Sequence, residues 1–176
     1  TFLLTGSANG IGRCMAKCLA NQGANLILID KDKERQQTLE VELNKELRQQ
    51  KFEFIFCDLT LEDERENTLT NIFQAYSKID GIIHNAAIDP RNSIEKTSMT
   101  FLHNVFAVKF DTAVHAVQKL LPLLKKSNSG RIVLMGSVTN ELGFSSLAAY
   151  ASANGAVSGL TRTLAHELGE FNITAN

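Results

Sequence analysis

The sequence predicts an α/β fold in which a parallel β-sheet lies between two layers of helices. Short apolar runs alternate along the chain with longer segments in which apolar residues recur at helical spacing. Most of these runs are continuously apolar instead of alternating, which is typical of strands buried on both faces of a parallel sheet. Strands that alternate with helices form right-handed crossovers, so we expect helices on both faces of the sheet.

The first third of the chain predicts two strands and two helices. Residues 2–4 are apolar and end a strand that leads directly into a glycine-rich turn. Residues 10–22 predict a helix, since Ile11, Met15, Cys18 and Leu19 fall on one face. Residues 25–30 form a second apolar run. The polar segment 32–50 carries leucines at a spacing of four and therefore predicts a surface helix with one apolar stripe. The leucines of this stripe are Leu39, Leu43 and Leu47.

The remaining elements repeat the alternation of strand and helix. A third strand is predicted over 52–57, and Thr60 is expected to cap a helix that ends at about residue 77. A fourth strand over 81–84 precedes a loop at 89–92 and a long helix over about 97–126. The last predicted elements are a fifth strand at 131–135, a loop at about 138–146, a helix at about 147–170 and a sixth strand beginning within 172–176.

Length and composition favour a single globular domain. The chain has 176 residues, of which 44% are hydrophobic, and its formal net charge is −1. A domain of this size buries enough surface for a stable core, so we expect one domain over residues 1–176. The near-neutral charge provides no basic surface for nucleic acid, and no apolar run is long enough to span a bilayer. We therefore expect neither a nucleic-acid nor a membrane partner.

The cysteines and histidines indicate no metal site. The chain contains three cysteines, an odd number, which favours a reducing, cytoplasmic environment over a disulfide scaffold. Cys14 and Cys18 share one helix face, and we interpret them as buried apolar thiols. The four histidines are scattered and lie at no ligand spacing with acidic residues.

The glycine-rich turn predicts a phosphate-binding site. Thr5-Gly6-Ser7-Ala8-Asn9-Gly10-Ile11-Gly12 connects the first strand to the first helix. Glycines permit a tight turn and a close approach of the backbone to a pyrophosphate, while the helix N-terminus offers free N–H groups. A purely structural turn is the alternative. The candidate cofactor-binding residues here are Gly6, Ser7, Asn9, Gly10, Ile11 and Gly12.

Two carboxylates at strand ends extend this prediction to the adenosine part of a dinucleotide. Asp30 ends the second strand, where its carboxylate can accept hydrogen bonds from ribose hydroxyls and would repel a 2′-phosphate. We therefore favour NAD over NADP, although the basic Lys31 argues the other way. Asp58 ends the third strand and either reaches the adenine edge or caps its own loop.

Further motifs follow the glycine turn along the chain. The full set is Thr5-Gly6-x3-Gly10-Ile11-Gly12, Asp58-Leu59, Asn85-Ala86-Ala87, Asn104, Gly130-Arg131-Ile132-Val133 leading to Ser137, and Tyr150. With these motifs, the chain resembles the short-chain dehydrogenase/reductase family over essentially all of residues 1–176. The resemblance implies a Rossmann-like, doubly wound sheet with strand order 3-2-1-4-5-6 and three αβα layers. It also implies NAD(P) binding and hydride transfer between the cofactor and an alcohol or carbonyl substrate.

The resemblance also implies roles for particular residues. Ser137 would polarise the substrate carbonyl and Tyr150 would transfer the proton. Asn104, on the long helix, would hold a proton-relay water. Ser137 follows the fifth strand, and ligands of open parallel sheets bind outside the carboxyl ends of the strands. The implied cofactor-binding residues beyond the glycine turn are Asp30, Asp58, Leu59, Asn85, Ala86, Ala87 and Tyr150.

The chain departs from the family pattern at one catalytic position. In that pattern a lysine follows the tyrosine by four residues, on the same helix face, where it holds the nicotinamide ribose and lowers the pKa of the phenol. This chain has Asn154 there, and it has no lysine after Lys126. A nearby cation lowers the pKa of an acid by about 1–3 units, so its loss is expected to slow proton transfer at neutral pH. Cofactor binding at the glycine turn is expected to suffer less.

Three functional hypotheses remain open at this stage. The chain is an active or weakly active dehydrogenase/reductase in which Asn154 or another cation partly replaces the lysine. It is otherwise a catalytically silent NAD-binding module or regulatory subunit, or an inactivated member of the family. A serine hydrolase is disfavoured because Ser137 lies in no G-x-S-x-G motif.

The sequence leaves the substrate unidentified. The resemblance implies a small-molecule alcohol or carbonyl substrate and a homodimer or homotetramer. The candidate helices for association are the long one, through Ala113, Val117, Leu120 and Leu121, and the one that carries Tyr150. The family pattern is longer than this chain, so we expect truncation at both ends, within the first and the sixth strand.

Overall fold

The computed structural model describes residues 1–47, 49–88 and 91–176. Asp89 and Pro90, in the predicted loop 89–92, and Arg48, in the predicted helix 32–50, lie outside the described residues.

Six strands of the described residues form one parallel sheet. Their order is β3-β2-β1-β4-β5-β6, and every pairing between neighbours is parallel. This confirms the predicted Rossmann-like α/β fold and its strand order. The strands are β1 (Phe2–Thr5), β2 (Leu26–Asp30), β3 (Phe52–Phe56), β4 (Gly81–His84), β5 (Arg131–Leu134) and β6 (Thr174–Ala175).

Helices cover both faces of this sheet. The α-helices are α1 (Gly10–Asn21), α2 (Lys33–Glu46), α3 (Glu62–Ala75), α4 (Met99–Phe106), α5 (Thr112–Leu124), α6 (Thr139–Leu142) and α7 (Ala148–Leu168). Short 3-10 turns lie at Ile94–Lys96 and Gly169–Phe171. α6 lies within the segment that we predicted as a loop. None of the helices in the described part of the chain is long and apolar enough to cross a membrane.

Successive residues of the central strands point into two separate cores. On β1, Leu3 packs against the helices α3, α5 and α7, whereas Leu4 packs against α1 and α2. On β4, Ile82 and Ile83 divide in the same way. A strand whose two faces are both buried needs apolar residues at every position, which explains the continuous apolar runs in the sequence.

The apolar face of α1 differs from the predicted one. Its buried residues are Gly12, Ala16 and Ala20, while Ile11 is 63% exposed. Cys14 and Cys18 are exposed, so the prediction of buried thiols is wrong. Small side chains let the helix approach the sheet closely, while Met15 and Leu19 are partly buried and pack against the same core.

Two helix starts show how local hydrogen bonds set the ends of elements. Asp32 caps α2, because its side chain accepts a hydrogen bond from the backbone N–H of Arg35 at 3.0 Å. Thr60 does not cap α3, which begins at Glu62. Its hydroxyl donates to Asp58 instead, at 2.8 Å.

The predicted long helix is interrupted by a wider turn. α4 and α5 are joined by a π turn, Ala107–Asp111, and Thr112 donates its hydroxyl to the carbonyl of Ala107 at 2.8 Å. A π turn contains an extra residue, so residues beyond it are rotated relative to those of a regular α-helix. Three of the four residues that we proposed for association face the protein's own core in this helix: Ala113, Val117 and Leu120.

Candidate functional site

A cleft of about 520 Å³ lies at the carboxyl ends of the strands. Residues that follow β1, β2, β3, β4 and β5 all contribute to its walls, as does the start of α7. Ligands bind at this edge in open parallel sheets. The predicted site residues that line the cleft are Gly6, Asn9, Gly10, Ile11, Asp30, Asp58, Leu59, Asn85, Ala86, Ala87 and Tyr150.

The glycines of the turn occupy positions that no residue with a side chain could adopt without strain or collision. Gly6 has a φ of +67°, and a Cβ there would stand 2.8 Å from the Cα of Ala86. Gly12 lies against the carbonyl oxygen of Gly6, which a Cβ at position 12 would approach to 1.8 Å. The space beside Gly10 is open, with nothing within 4 Å of where its Cβ would stand. The turn is therefore packed tightly on the protein side and free on the side that faces the cleft.

A buried hydrogen-bond network ties this turn to β4. Asn85 donates its side-chain amide to the carbonyl of Gly6 at 3.0 Å. The hydroxyl of Thr5 accepts the backbone N–H groups of Asn85 and Ala86, each at 3.2 Å. Because that hydroxyl already accepts two hydrogen bonds, its own proton is directed to Nδ1 of His84, at 2.8 Å.

His84 continues this network into the long helix. With Nδ1 accepting from Thr5, its Nε2 carries the ring proton and donates to the backbone carbonyl of Lys109 at 3.1 Å. His84 is fully buried, and burial, together with the nearby Lys109 charge, lowers its pKa to about 3. The ring is therefore neutral at ordinary pH and joins β1, β4 and the π turn.

Asp30 lies between the glycine turn and α2. One carboxylate oxygen accepts the backbone N–H of Ala8 at 2.8 Å, and the other accepts that of Asp32 at 2.9 Å. A carboxylate oxygen offers about two lone-pair sites, so each can accept a further hydrogen bond from the cleft. The basic residues Lys31 and Arg35 also line this end of the cleft.

Asp58 lines the cleft and also caps its own loop. Its Oδ1 accepts both the backbone N–H and the hydroxyl of Thr60, at 3.0 Å and 2.8 Å. Partial burial opposes ionisation, but these hydrogen bonds, with Lys31 nearby, hold the pKa of the Asp58 carboxyl below its usual range. Its loop-capping role is therefore observed, and its second oxygen lies 3.9 Å from Nζ of Lys31.

At the opposite end of the cleft, Tyr150 begins α7 and lines the wall. Asn154 lies one turn later, fully buried, and its amide nitrogen donates to the carbonyl of Tyr150 at 2.9 Å. Its Oδ1 is buried and accepts no hydrogen bond from the described residues. The side chain of Asn154 is thus turned back onto its own helix and is not part of the cleft wall.

Ser137 lies directly after the cleft residues Met135 and Gly136. Its hydroxyl oxygen accepts the backbone N–H and the hydroxyl of Thr139, at 3.2 Å and 2.9 Å. Both of these bonds use the oxygen as acceptor, so the hydroxyl proton of Ser137 stays available to donate to another group.

Besides Ser137 and Asn154, three further predicted residues lie outside the cleft wall. Asn104 is exposed on α4 and does not line the cleft, so its role in holding a proton-relay water stays a prediction. Ser7 is buried and donates to the carbonyl of Ile29, at 3.4 Å. Gly12 packs against the carbonyl oxygen of Gly6, on the side of the turn that faces the protein.

Lys109 is a cleft residue that no sequence motif indicated. It is 2% exposed, lines the same cleft as Tyr150, and donates from Nζ to the carbonyl of Met135 at 2.5 Å. The available signal was a single lysine within the apolar segment 105–110. The π turn that places it has no recognisable sequence pattern. In the described ranges 1–47, 49–88 and 91–176, His, Cys, Asp and Glu form no cluster that could hold a metal ion.

Comparison with known proteins identifies close similarity to one enzyme family. The family model described as short chain dehydrogenase matches residues 1–176. Secoisolariciresinol dehydrogenase of Forsythia intermedia is 34% identical over 180 residues, which cover 99% of this chain and 62% of that protein. The uncharacterized oxidoreductase YciK of Escherichia coli (strain K12) is 32% identical over 169 residues, covering 94% of this chain and 67% of that protein.

Solved structures agree with these sequence matches. A short chain dehydrogenase from Burkholderia cenocepacia J2315, in complex with NADP, superposes with a TM-score of 0.90 at 26% identity. The match covers 99% of this chain and 71% of that one. This chain therefore spans about two thirds of the length of the relatives it matches.

Proposed function

This chain belongs to the short-chain dehydrogenase family, and from that premise we propose that it is the cofactor-binding and catalytic part of an NAD-dependent oxidoreductase. Its substrate would be a small molecule with an alcohol or carbonyl group. The observation that carries the proposal is that the glycine turn, Asp30 and Tyr150 all line one cleft.

The residues of this cleft fit a nicotinamide dinucleotide. The open space beside Gly10 lets a pyrophosphate approach the turn and the N-terminus of α1. Asp30 would accept hydrogen bonds from the adenosine ribose, while Asp58 and Leu59 would border the adenine. Asn85, Ala86 and Ala87 would support the middle of the cofactor. The bound cofactor supplies a carbon that accepts or delivers a hydride.

The chain's own residues would handle the proton. Tyr150 stands at the end of the cleft opposite Asp30 and is the candidate acid/base. Ser137, whose hydroxyl proton is not used by Thr139, is suited to donate a hydrogen bond to a substrate carbonyl oxygen. Asn154 cannot supply a positive charge to this site. We therefore expect weakened turnover unless another cation stabilises the phenolate of Tyr150.

We favour NAD over NADP because of Asp30. A 2′-phosphate placed on the adenosine ribose would meet a carboxylate, and like charges repel in a site that is partly shielded from water. Lys31 and Arg35 oppose this preference, but each also faces an acidic side chain. The distances are 3.9 Å from Lys31 to Asp58 and 3.2 Å from Arg35 to Asp32.

A second candidate function is a catalytically silent NAD-binding module. The observation that favours it is Asn154, whose amide is hydrogen-bonded to its own helix instead of reaching the cleft. Such a protein would keep the contacts at the glycine turn and lose proton transfer at Tyr150. A homodimer or homotetramer is part of either proposal.

The test is to measure cofactor binding and turnover separately. Calorimetry with NAD⁺ and NADP⁺ would be combined with absorbance assays on a panel of alcohols and carbonyl compounds. Binding with turnover that is lost in Tyr150→Phe supports the oxidoreductase. Binding without turnover of any substrate supports the silent module. Absence of binding to either dinucleotide, by folded protein, would overturn both proposals.

A further inference from the structure

Lys109 is an unusual residue for the interior of a helix. Among the described residues it is the largest side chain that is fully buried. A buried ammonium is costly unless it is paired or has a function. In the described part of the chain Lys109 has no carboxylate partner, and its hydrogen bond goes to the carbonyl of Met135.

The surroundings of Lys109 direct its charge toward the cleft. Val108 and Phe110, its neighbours in sequence, pack against the apolar core. Its ammonium is tethered at the end of β5, beside Gly136, and Lys109 lines the cleft together with Tyr150. An ammonium has three N–H donors, and the bond to Met135 uses one of them. The remaining donors are suited to hydroxyl or phenolate oxygens that enter this end of the cleft.

The backbone around Lys109 is built to hold this position. A π turn disrupts the regular ladder of helix hydrogen bonds, and such turns occur frequently at functional sites. Here His84 donates to the carbonyl of Lys109 from the buried network that also fixes the glycine turn. Lys109 is therefore held at two points. His84 of β4 binds its backbone carbonyl, and the carbonyl of Met135, at the end of β5, binds its ammonium.

Asn154 provides the complementary observation on α7. It is fully buried, yet its Oδ1 has no donor among the described residues. The π turn that carries Lys109 packs against α7. A neutral acceptor without a donor and an ammonium with spare donors thus lie on contacting elements.

We propose that Lys109 supplies, from the π turn of the long helix, the positive charge at the Tyr150 end of the cleft that Asn154 cannot supply from α7. This inference rests on the proposed function and adds one catalytic residue to it. The ammonium would hydrogen-bond the nicotinamide ribose and stabilise the phenolate of Tyr150.

The proton and electron balance leaves Lys109 unchanged. In alcohol oxidation, the substrate hydroxyl gives its proton to the phenolate oxygen of Tyr150. A bound nicotinamide would accept the hydride that leaves the carbon of the same alcohol, so that a carbonyl compound would remain. Tyr150 then releases the proton to solvent. Carbonyl reduction is the reverse, with the phenol donating its proton to the carbonyl oxygen.

The charge on Lys109 sets the pH range of this arrangement. Burial lowers its pKa to about 8, so the ammonium form predominates at neutral pH. Two titratable groups lie near Lys109 on other elements. His84 of β4 is neutral at ordinary pH, and Tyr150 of α7 lines the same cleft. Asp111 of the same turn is exposed. The other titratable groups that line the cleft are Asp30, Lys31, Asp32, Arg35, Cys57 and Asp58, toward its other end.

The kinetic test exchanges the charge between positions 109 and 154 in the full-length protein. Lys109→Met keeps the length of the side chain and removes its charge. We expect kcat/KM at neutral pH to fall by about 100-fold, as for loss of a group that assists proton transfer. Adding Asn154→Lys to Lys109→Met is expected to restore at least about tenfold of this loss. Lys119→Met, on α5, removes a lysine that pairs with Glu66 outside the cleft and should leave kcat/KM unchanged.

A second readout does not depend on turnover. The chain has two tyrosines, and burial, together with hydrogen bonding to Glu53, raises the pKa of Tyr76 well above its usual range. Near-ultraviolet phenolate absorbance of the cofactor-free protein therefore reports on Tyr150 as long as Tyr76 stays protonated. In Lys109→Met we expect the midpoint of this absorbance to rise by about one pH unit or more. Lys119→Met should not move it.

The outcomes separate this inference from the proposed function. Unchanged kcat/KM and an unchanged phenolate midpoint in a folded Lys109→Met protein would overturn the role of Lys109, while the oxidoreductase proposal stands. If native protein binds no cofactor, the proposed function fails, and the phenolate titration still decides whether Lys109 acts on Tyr150. Circular dichroism checks folding, and Lys109→Gln serves as the second variant where Lys109→Met does not fold.

Discussion

Gly12 lies so close to the carbonyl oxygen of Gly6 that a Cβ at position 12 would stand 1.8 Å from that oxygen. The contact joins the first turn of α1 to the end of β1, and Asn85 donates to the same carbonyl from the other side at 3.0 Å. The oxygen is therefore enclosed by backbone and by a side chain that is itself held in place. The shape of the glycine turn therefore depends on this close packing as well as on the backbone freedom of glycine.

Replacement of Gly12 by Ala is expected to destabilise the fold and weaken cofactor binding. The methyl group would collide with backbone, so α1 must move away from the sheet, at a cost of about 2 kcal/mol or more in the free energy of unfolding. Urea unfolding and calorimetry with NAD⁺ measure the two effects. Gly159→Ala, on α7 with open space around it, is the control and should stabilise by about 0.5–1 kcal/mol. Equal stability of the two variants would contradict this account of the turn.

The fold could be predicted from the sequence because its signals are local. Continuous apolar runs predict strands that are buried on both faces, and the order of strands and helices then leaves few topologies. The failure at α1 has a physical cause. Hydropathy favours Ile11 and Cys18 as buried residues, but close approach to the sheet is decided by size, so Gly12, Ala16 and Ala20 occupy the interface.

Part of the site was predictable because its residues follow strand ends. A strand end fixes the positions of Asp30 and Asp58, whereas Asn85 and Tyr150 were predicted from the family resemblance. Residues on the long helix could not be placed, because the π turn changes the direction of side chains without any pattern in the sequence. We therefore chose Asn104, which is exposed, and overlooked Lys109, which lines the cleft.

Asp30→Ser is expected to change the cofactor preference from NAD toward NADP. The substitution removes the charge that repels a 2′-phosphate and leaves Lys31 and Arg35 at the same end of the cleft. We expect the ratio of NADP⁺ to NAD⁺ affinity to rise by at least about tenfold, corresponding to roughly 1.4 kcal/mol. Calorimetric titration of both cofactors measures it. Glu34→Gln, exposed in the first turn of α2, is the control for loss of negative charge. A ratio that moves equally in both variants would show that Asp30 does not select the cofactor.

Ser137→Ala is expected to lower kcat while leaving the affinity for NAD⁺ unchanged. The hydroxyl proton of Ser137 is not used by Thr139, so its loss removes a donor to the developing negative charge on the substrate oxygen. Removal of one such donor costs about 100-fold or more in kcat. Thr139→Val deletes one of the two bonds that Ser137 accepts and tests whether the turn alone matters. If Thr139→Val lowers kcat as much as Ser137→Ala does, Ser137 acts through the turn and not on substrate.

Replacement of His84 by Asn is expected to flatten the acid dependence of stability. Burial, then the charge of Lys109, lower the pKa of His84 to about 3 in the folded protein, whereas an unfolded histidine titrates near about 6.5. Between about pH 3 and pH 6.5, the histidine is therefore protonated in the unfolded state and neutral in the folded state. The stability associated with a neutral His84 is fully present above about pH 6.5 and decreases as the pH falls toward 3, by at most ~1.4 kcal/mol per pH unit. His84→Asn lacks this titration, so its free energy of unfolding should decline less steeply over the same range.

Urea unfolding at a series of pH values measures the slopes, with His103→Asn, at an exposed histidine, as the control that keeps the native slope. Parallel curves for native protein and His84→Asn would mean that folded and unfolded His84 take up a proton equally, so that Nδ1 would donate to Thr5 at low pH instead of accepting from it.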